Sequence, residues 1–288
     1  MLRYDIVDVF TDRAYAGNPL AVVHGGHELS TEQMQAIAAE FHLSETAFPL
    51  PPTADADYRL RIFTPGRELP FAGHPSVGAA WVLARAGLIS TGDVVQECGA
   101  GLLPVRVDDY GAQVTGGASE VGPALDGAVL AAAVGLGPAD VVDAVPAGVA
   151  GAGVPYAFLV VAPDAVARAA PDPAAVRACT EGLVGLTVVS FDAAASAGHV
   201  RMFAPDVGVS EDPATGSAAV ALAVFLVDRG VLAGDGQTGF TVAQGAEIGR
   251  PSTLGVLVHA DAGTAVRTSV WGTVTAVARG ELVALPPV

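Results

Sequence analysis

The sequence predicts an α+β fold of two similar halves, in each of which a curved sheet surrounds one apolar helix. Two segments are alike: residues 61–83 read RIFTPGRELPFAGHPSVGAAWVL, and residues 201–226 read RMFAPDVGVSEDPATGSAAVALAVFL. Each begins with Arg, an apolar residue, Phe, one further residue and Pro, and then crosses a polar loop to Gly73 or Gly216. Each continues as an almost uncharged apolar segment, which is typical of a helix buried on every side. We interpret the pair as a diverged internal duplication.

The spacing of the two copies shows where they differ. Phe203 follows Phe63 by 203 − 63 = 140 positions, whereas Gly216 follows Gly73 by 216 − 73 = 143 positions. The second copy therefore has three more loop residues. Because the halves are similar, we expect their glycine-containing loops to face one another across a cleft.

The first half is predicted to be a sheet with two helices. Ser30 is a candidate N-cap, and Gln33 stands three residues later, as a capping box requires. The second helix covers residues 74–86, where apolar or small side chains occupy nearly every position. Patterns of apolar residues predict strands at 4–10, 20–23, 58–63, 93–97, 102–107 and 113–115.

The boundary between the halves is predicted within a Gly-rich stretch, residues 116–123. This boundary gives domains 1–118 and 119–288, with the last strand able to pack on either half. Residues 146–155 are rich in Gly and Pro and are predicted to form a loop. Helices are predicted at 128–134, 173–180 and 216–228, and strands at 156–161, 186–191, 199–203, 238–244, 255–259, 265–270 and 273–277.

The composition excludes several functional classes. The chain is 51% hydrophobic and 15% charged, which is typical of a globular protein with a large core. Fourteen cationic residues against thirty acidic ones give a net charge of 14 − 30 = −16, opposite to what nucleic acids or anionic membranes attract. All fourteen are Arg. Without lysine, neither a pyridoxal-phosphate Schiff base nor a Walker-A phosphate loop can form.

Cysteine usage and the N-terminal residues indicate a cytoplasmic location. Cys98 and Cys179 are far apart and have no Cys or His at metal-binding spacing, so we expect reduced, buried thiols. The N-terminal residues MLRYDIVDVF carry acids where a signal peptide has a positive flank and an apolar run. The longest charge-free apolar segment, residues 216–227, is about half the length of a membrane span.

The two glycine-containing loops are candidate anion-binding sites. If the apolar helices begin near Gly73 and Gly216, their first backbone N–H groups are unpaired and their positive dipole ends favour a carboxylate or phosphate. Glycine lets a ligand approach the backbone closely. The alternative is that both glycines only form turns; their recurrence at matching positions favours the functional interpretation.

Four side chains near these loops are candidates for acid–base chemistry. Glu45 follows a helix and lies among apolar neighbours, which raise the pKa of a carboxyl group toward neutral pH; the alternative is an exposed junction acid. His74 stands at a predicted helix N-terminus, which should lower its pKa, although a lone histidine is more often structural. Asp212 and Ser217 flank the second loop, with a loop acid and an N-cap as their alternatives. Glu211 is expected to be solvated.

Other chemistries have little support in the sequence. His24 and His27 flank a Gly-Gly turn without further ligands nearby, so no metal site is expected. No GxGxxG follows a predicted strand, which argues against a nicotinamide cofactor, and there is no GxSxG nucleophile elbow. The remaining chemistry is cofactor-free acid–base work on a small anion.

The chain resembles the PhzF family of phenazine-biosynthesis isomerases along its whole length. The resemblance implies the fold of diaminopimelate epimerase, with two halves that are each a barrel-like, mostly antiparallel sheet around a central helix. The motifs that carry it are GNPLAVV at 17–23, LSETAF at 43–48, RIFTPGRELPFAGHP at 61–75, EDPATGSAA at 211–219 and QGAEIGRPS at 244–252.

The resemblance also implies a reaction and a set of site residues. The reaction is isomerisation of trans-2,3-dihydro-3-hydroxyanthranilate by transfer of a proton from C3 to C1, without metal or cofactor, in a homodimer. Glu45 matches the acid/base that carries the proton, and the supporting polar residues match His74, Asp212 and Ser217. The substrate carboxylate is held by backbone donors at Gly73 and Gly216, and Asn18 is a further substrate-binding residue.

One alternative is disfavoured and two remain open. The epimerase uses one cysteine in each loop, but the corresponding positions here are Ala72 and Thr215, so a two-thiol racemase is disfavoured. A relative that isomerises another small unsaturated carboxylic acid would use the same residues. A non-catalytic protein that binds a small anion would need the cleft but not Glu45.

Overall fold

The structure is a computed structural model, and it describes residues 1–287. The chain forms two compact units. The first contains Met1–Thr115 and the C-terminal residues from Trp271 onward, and the second contains Gly116–Val270. The predicted domains, 1–118 and 119–288, differ from these units at the C-terminus. The difference arises because residues 274–282 pair along the first strand of the chain, a long-range contact that local sequence does not reveal.

The first unit contains eight strands of its own and two helices. The helices are α1 (Thr31–Phe41) and α2 (Gly73–Arg85). The strands are β1 (Leu2–Val9), β2 (Asn18–Val23), β3 (Glu45–Leu50), β4 (Tyr58–Phe63), β5 (Glu68–Leu69), β6 (Gly92–Cys98), β7 (Gly101–Val107) and β8 (Gly111–Thr115).

These strands close into a barrel with the C-terminal strand of the chain. The strand order is β1-β2-β3-β4-β6-β7-β8, and the last strand, β17 (Thr264–Leu282), pairs with both β8 and β1. The pairs β2–β3 and β4–β6 are parallel, and β1–β2, β3–β4, β6–β7, β7–β8 and β1–β17 are antiparallel. Helix α2 lies inside, and residues 73–83 of it are all buried. The Ser30–Gln33 capping box predicted for α1 is present.

The second unit contains four helices and the strands that follow β8. The helices are α3 (Gly127–Ala133), α4 (Pro163–Arg168), α5 (Pro173–Cys179) and α6 (Gly216–Asp228). The strands are β9 (Ser119–Ala124), β10 (Gly148–Ala152), β11 (Pro155–Val160), β12 (Leu186–Asp192), β13 (Ala197–Ala204), β14 (Val209–Asp212), β15 (Gly236–Gln244) and β16 (Ser252–Asp261).

The sheet of the second unit repeats the connectivity of the first. Its order is β9-β10-β11-β12-β13-β15-β16, with parallel pairs β11–β12 and β13–β15 in the places that β2–β3 and β4–β6 occupy in the first unit. Helix α6 packs on β9, β10, β11 and β16 and is buried along residues 218–227. The short helices α3, α4 and α5 cover the other side of this sheet. The predicted fold class is thereby confirmed.

An arginine–glutamate pair recurs at matching places in the two units. Arg61 donates two hydrogen bonds to Glu68, seven residues later, and stacks over Phe63. Arg201 donates two to Glu211, ten residues later, and stacks over Phe203. The difference of three residues equals the three extra loop residues counted from the sequence. The shared contacts support a common origin for the two segments.

The prediction of a loop at residues 146–155 is wrong. Gly148–Ala152 forms β10, which is buried along its whole length and pairs with β9 and β11. A side chain at Gly148 would place its Cβ 2.2 Å from the guanidinium of Arg229, which packs over the strand. Glycine therefore stands here because of close packing, although in the sequence it looks like a turn former. The C-terminal strands predicted at 265–270 and 273–277 are one continuous strand, β17.

Candidate active site

Three predicted site residues meet at one end of the first barrel. Asn18 is the first residue of β2, and Glu45 is the first residue of the parallel neighbour β3. His74 is the second residue of the enclosed helix α2. His74 Nε2 lies 3.4 Å from Glu45 Oε2, and His74 Nδ1 lies 3.3 Å from Asn18 Nδ2. Ser44 completes the group, because its Oγ lies 2.9 Å from Asn18 Oδ1.

His74 is neutral at physiological pH. Its side chain is buried inside the barrel, and this burial lowers its pKa from 6.5 to about 3 because the charged imidazolium loses its hydration. The sequence also predicted a lowered pKa for His74, but from its position at a helix N-terminus, whereas the cause is burial. The contact with Glu45 has the distance of an ion pair, yet it joins an uncharged imidazole to a carboxyl group.

Glu45 is placed between solvent and the barrel interior. Its side chain keeps 16% of its exposure, so the interpretation as an exposed junction acid is wrong. A carboxyl group in this position can reach a ligand on one side and contact His74 on the other. General acid–base catalysis requires this combination of access and fixed geometry.

Both central helices begin without a side-chain cap. The N-cap residues are Ala72 for α2 and Thr215 for α6, and neither side chain accepts a bond from the helix N-terminus. These are the two positions at which the epimerase pattern requires cysteine. The first turn contains no acidic residue in either helix. Each helix, with Gly73 or Gly216 as its first residue, therefore presents backbone N–H groups and a positive dipole end to an anion.

In the second unit, Asp212 belongs to a buried polar cluster. Thr215 Oγ1 donates to Asp212 Oδ2 over 2.6 Å. Gln244 Nε2 donates to the backbone oxygen of Asp212 over 2.8 Å and to Thr215 Oγ1 over 3.0 Å, while its Oε1 accepts from the Thr215 N–H over 3.2 Å. The amide of Gln244 thus links the end of β15 to the turn that precedes α6.

Ser217 lies in the first turn of α6 and is half-buried. Its Oγ is 2.7 Å from the hydroxyl of Tyr156, a buried residue of β11. The alternative of an N-cap does not hold for Ser217, because Thr215 is the N-cap of α6.

Several residues of these clusters were not predicted as site residues. Ser44, Tyr156 and Gln244 each bond directly to a predicted residue or to its backbone. Ser44 and Gln244 lie within the segments LSETAF and QGAEIGRPS, which was the only sequence signal for them. The expectation that Glu211 is solvated is wrong, because its side chain is 9% exposed and bonded to Arg201.

His24 pairs with an acid, and the two cysteines are shielded from solvent to different degrees. His24 contacts Asp5, with 2.7 Å between Nε2 and Oδ2. Cys98 is buried and Cys179 half-buried; burial raises the pKa of the Cys179 thiol. Within residues 1–287, no three His, Cys, Asp or Glu side chains cluster as metal ligands would. In the same range, no helix is long and apolar enough to cross a bilayer.

Comparison with known proteins places the chain in one family. The model of the PhzC-PhzF family, described as phenazine biosynthesis-like protein, matches residues 7–280. An uncharacterized isomerase of Mesorhizobium japonicum is 38% identical, over 97% of this chain and 98% of its own. The trans-2,3-dihydro-3-hydroxyanthranilate isomerase of Pseudomonas aeruginosa is 35% identical, over 88% and 89% respectively.

A solved structure supports the same assignment. The crystal structure of a Bacillus anthracis phenazine biosynthesis protein of the PhzF family superposes with a TM-score of 0.89 at 25% identity, covering 98% of this chain and 99% of its own. Because the family model spans residues 7–280 and both relatives cover at least 88% of the chain, this chain belongs to the PhzC-PhzF family of isomerases.

Proposed function

We propose that this chain isomerises trans-2,3-dihydro-3-hydroxyanthranilate by a cofactor-free proton shift from C3 to C1. The observation that carries the proposal is the position of Glu45, a partly exposed carboxyl group against a buried neutral histidine, at the barrel end where the uncapped helix α2 begins. The relative from Pseudomonas aeruginosa that carries this reaction in its name supports the choice of substrate.

In the proposed reaction, Glu45 acts first as a base and then as an acid. Its carboxylate accepts the proton from C3, and the electron pair of the C–H bond moves into the unsaturated ring. The carboxyl group then returns the proton to C1, so the product is an isomer of the substrate and Glu45 regains its ionised form. The enol product tautomerises to a ketone. One carboxyl group therefore suffices, and no co-reactant is consumed.

The neutral state of His74 suits this cycle. A protonated imidazolium 3.4 Å from Glu45 would favour the carboxylate and lower its pKa. A neutral imidazole places no positive charge beside Glu45, so the carboxyl group is not held ionised by an ion pair when it takes up the proton.

The substrate-binding roles follow the sequence-based predictions. Backbone N–H groups at Gly73 and at Gly216, each the first residue of an uncapped helix, are the candidate donors to a substrate carboxylate in their own units. Asp212 and Ser217 are assigned to the polar groups of the substrate; Thr215, Gln244 and Tyr156 hold these two side chains or their backbone in place. A homodimer is part of the proposal, and sedimentation of the purified chain tests it.

A second candidate is isomerisation of another small unsaturated carboxylic acid. The relative from Mesorhizobium japonicum, which is 38% identical, has the name of an isomerase without a stated substrate. The same acid–base group and helix N-termini would serve such a substrate, because none of the contacts described above is specific for a ring.

The test is incubation of the purified protein with trans-2,3-dihydro-3-hydroxyanthranilate in D2O, followed by NMR and absorbance. We expect loss of the diene signals and a fall of about 10²–10⁴-fold in kcat for Glu45→Gln, since this is the usual contribution of a general acid–base group. Glu40→Gln, a change at an exposed acid of α1, is the matched control and should retain full activity.

Each outcome selects one candidate. Full activity of Glu45→Gln would refute the proposed role of Glu45. No turnover by folded wild-type protein would reject this substrate and favour another unsaturated acid, to be found by screening. Binding of the substrate without any exchange of its C1 or C3 protons would favour a non-catalytic binding protein.

A further inference from the structure

We propose that Asn18 and Ser44 are positioning residues that keep the imidazole of His74 in one tautomer, with its proton on Nε2, the ring nitrogen next to Glu45. The effect of this arrangement on catalysis rests on the proposed function. The tautomer of His74 does not depend on the proposed function, because it is a property of the ligand-free protein.

The first step is the orientation of the Asn18 amide. Ser44 Oγ lies 2.9 Å from Asn18 Oδ1, so the hydroxyl can donate to the amide oxygen. With the oxygen directed to Ser44, the NH2 group is directed to His74, where Nδ2 lies 3.3 Å from Nδ1. An amide nitrogen only donates hydrogen bonds, and its oxygen only accepts them. With its oxygen on the Ser44 hydroxyl, the Asn18 amide offers its NH2 group to the histidine.

The second step is the state of the His74 ring. Because Asn18 Nδ2 donates, His74 Nδ1 must accept and carries a lone pair. A neutral imidazole has one N–H and one acceptor nitrogen, so the proton lies on Nε2. The burial of the ring, which lowers its pKa, supports the neutral form. The hydrogen bond at one ring nitrogen thereby decides what the other nitrogen presents.

The third step is the proximity of Glu45. His74 Nε2 lies 3.4 Å from Glu45 Oε2, longer than an ordinary N–H···O bond of about 2.9 Å, and this contact does not have the geometry of a hydrogen bond in the ligand-free structure. The ionised carboxylate, which only accepts hydrogen bonds, matches this donor. The other tautomer would place a lone pair of Nε2 against the carboxylate oxygen, and two acceptors repel one another. The relay Ser44–Asn18–His74 therefore keeps a donor nitrogen, rather than an acceptor, beside the acid–base group.

This inference gives Asn18 a different role from the substrate contact that the sequence resemblance implied. The Asn18 side chain is completely buried, and its amide is engaged with His74 and Ser44. It acts on the reaction through His74, since both functional ends of its amide point at protein groups.

The direct test is the 15N spectrum of imidazole-labelled histidine in the ligand-free protein. A protonated ring nitrogen and an unprotonated one resonate in separate regions, and the resonances of His74 are those lost in His74→Gln. We expect the wild-type protein to carry the His74 proton on Nε2. In Asn18→Asp, the carboxylate accepts instead of donating, so we expect the proton on Nδ1.

Ser44→Ala supplies the second variant. Without the hydroxyl, the Asn18 amide can turn, so we expect His74 to show averaged shifts of both tautomers and kcat to fall about tenfold with little change in KM. Ser76→Ala is the matched control, because this buried serine of α2 bonds to Gln96 and to the Ala72 carbonyl and has no bond to the relay. It should leave the His74 spectrum unchanged.

Two results would overturn the inference. One is a wild-type His74 with its proton on Nδ1, which needs no variant to establish. The other is a His74 spectrum that is the same in Ser44→Ala as in Ser76→Ala. Neither result depends on turnover, so the relay can fail while the proposed reaction stands, and the reverse also holds.

Discussion

Removal of Arg201 tests how strongly the second unit depends on its buried ion pair. Arg201 and Glu211 each keep only 9% of their side-chain exposure. The guanidinium bonds to both carboxylate oxygens, over 2.8 and 2.7 Å, and also to the backbone oxygen of Ala169 over 2.5 Å. In Arg201→Leu, the Glu211 carboxylate stays buried without its counter-charge.

The first unit contains an internal reference for this change. Arg61 makes the same two bonds to Glu68, but the exposed fractions are 17% and 38%. Water can therefore hydrate Glu68 after Arg61→Leu. Loss of one partner of a buried pair costs about 3–5 kcal/mol, whereas an exposed pair contributes about 1 kcal/mol or less. The same substitution should thus be several-fold more costly at position 201 than at position 61.

Thermal unfolding followed by circular dichroism measures the difference. A change of 1 kcal/mol moves the Tm of a protein of 150–250 residues by about 2–4 °C. We therefore expect Arg201→Leu to lower Tm by about 6–20 °C and Arg61→Leu by no more than about 4 °C. Adding Glu211→Leu to Arg201→Leu should restore most of the loss, because two apolar side chains leave no unpaired charge.

Two outcomes would refute this reasoning. Equal losses for Arg201→Leu and Arg61→Leu would show that burial does not determine the cost. A double variant as unstable as Arg201→Leu alone would show that lost packing over Phe203, and not an uncompensated Glu211, is responsible.

Three further predictions concern His74, Gly111 and Gln244. The pKa of His74 is about 3 in the folded protein and 6.5 in its ordinary state, so the unfolded chain binds the extra proton first as pH falls. The free energy of unfolding should therefore drop by about 2 kcal/mol between pH 7 and pH 5, and this drop should be absent in His74→Gln. In Gly111→Ala, the new Cβ would lie 1.9 Å from the Gly272 oxygen at the closing seam of the barrel, so we expect a loss of about 3 kcal/mol or more. Gln244→Leu leaves polar groups of Asp212 and Thr215 without their amide partner and should cost about 2–3 kcal/mol and lower kcat/KM.

Each of these predictions has its own control. Urea titrations at both pH values compare wild type with His74→Gln, and parallel pH dependence in the two proteins would contradict the buried neutral histidine. Gly66→Ala adds a methyl group in open space and should be nearly neutral; a Gly111→Ala variant as stable as that would argue against the tight seam. For Gln244→Leu, unchanged kcat/KM would show that the cluster around Asp212 does not position a catalytic group.

The fold was accessible from the sequence where periodicity was strong. The two wholly apolar helices were predicted because segments without charge cannot face water, and the predicted ranges 74–86 and 216–228 match α2 and α6 within one residue at each end. The strand β10 was not predicted, because its glycines reflect close packing, of Arg229 against Gly148 and of the Val154 backbone against Gly151. The short strands β5 and β14 were also missed, since two to four residues carry too little periodicity.

The candidate site was accessible in part. Glu45 and His74 were singled out by their residue types and their positions at element ends, and the structure brings them within 3.4 Å. Ser44 was not singled out, because no sequence pattern distinguishes a serine that is a hydrogen-bond partner from one on the surface of an extended segment. Gln244 was missed for the same reason, although its amide holds the turn before α6.

The sequence by itself determined the duplication, the two enclosed helices and the absence of lysine chemistry, because these depend on residue order and type alone. Only the tertiary structure decided that Glu45 lies against His74, although 29 positions separate them in the chain, and that Asn18 bonds to the same histidine from 56 positions away. It also decided that burial keeps His74 neutral. It also decided that the last strand closes the first barrel. These features depend on strand register and on exclusion of water, which arise only when distant segments pack together.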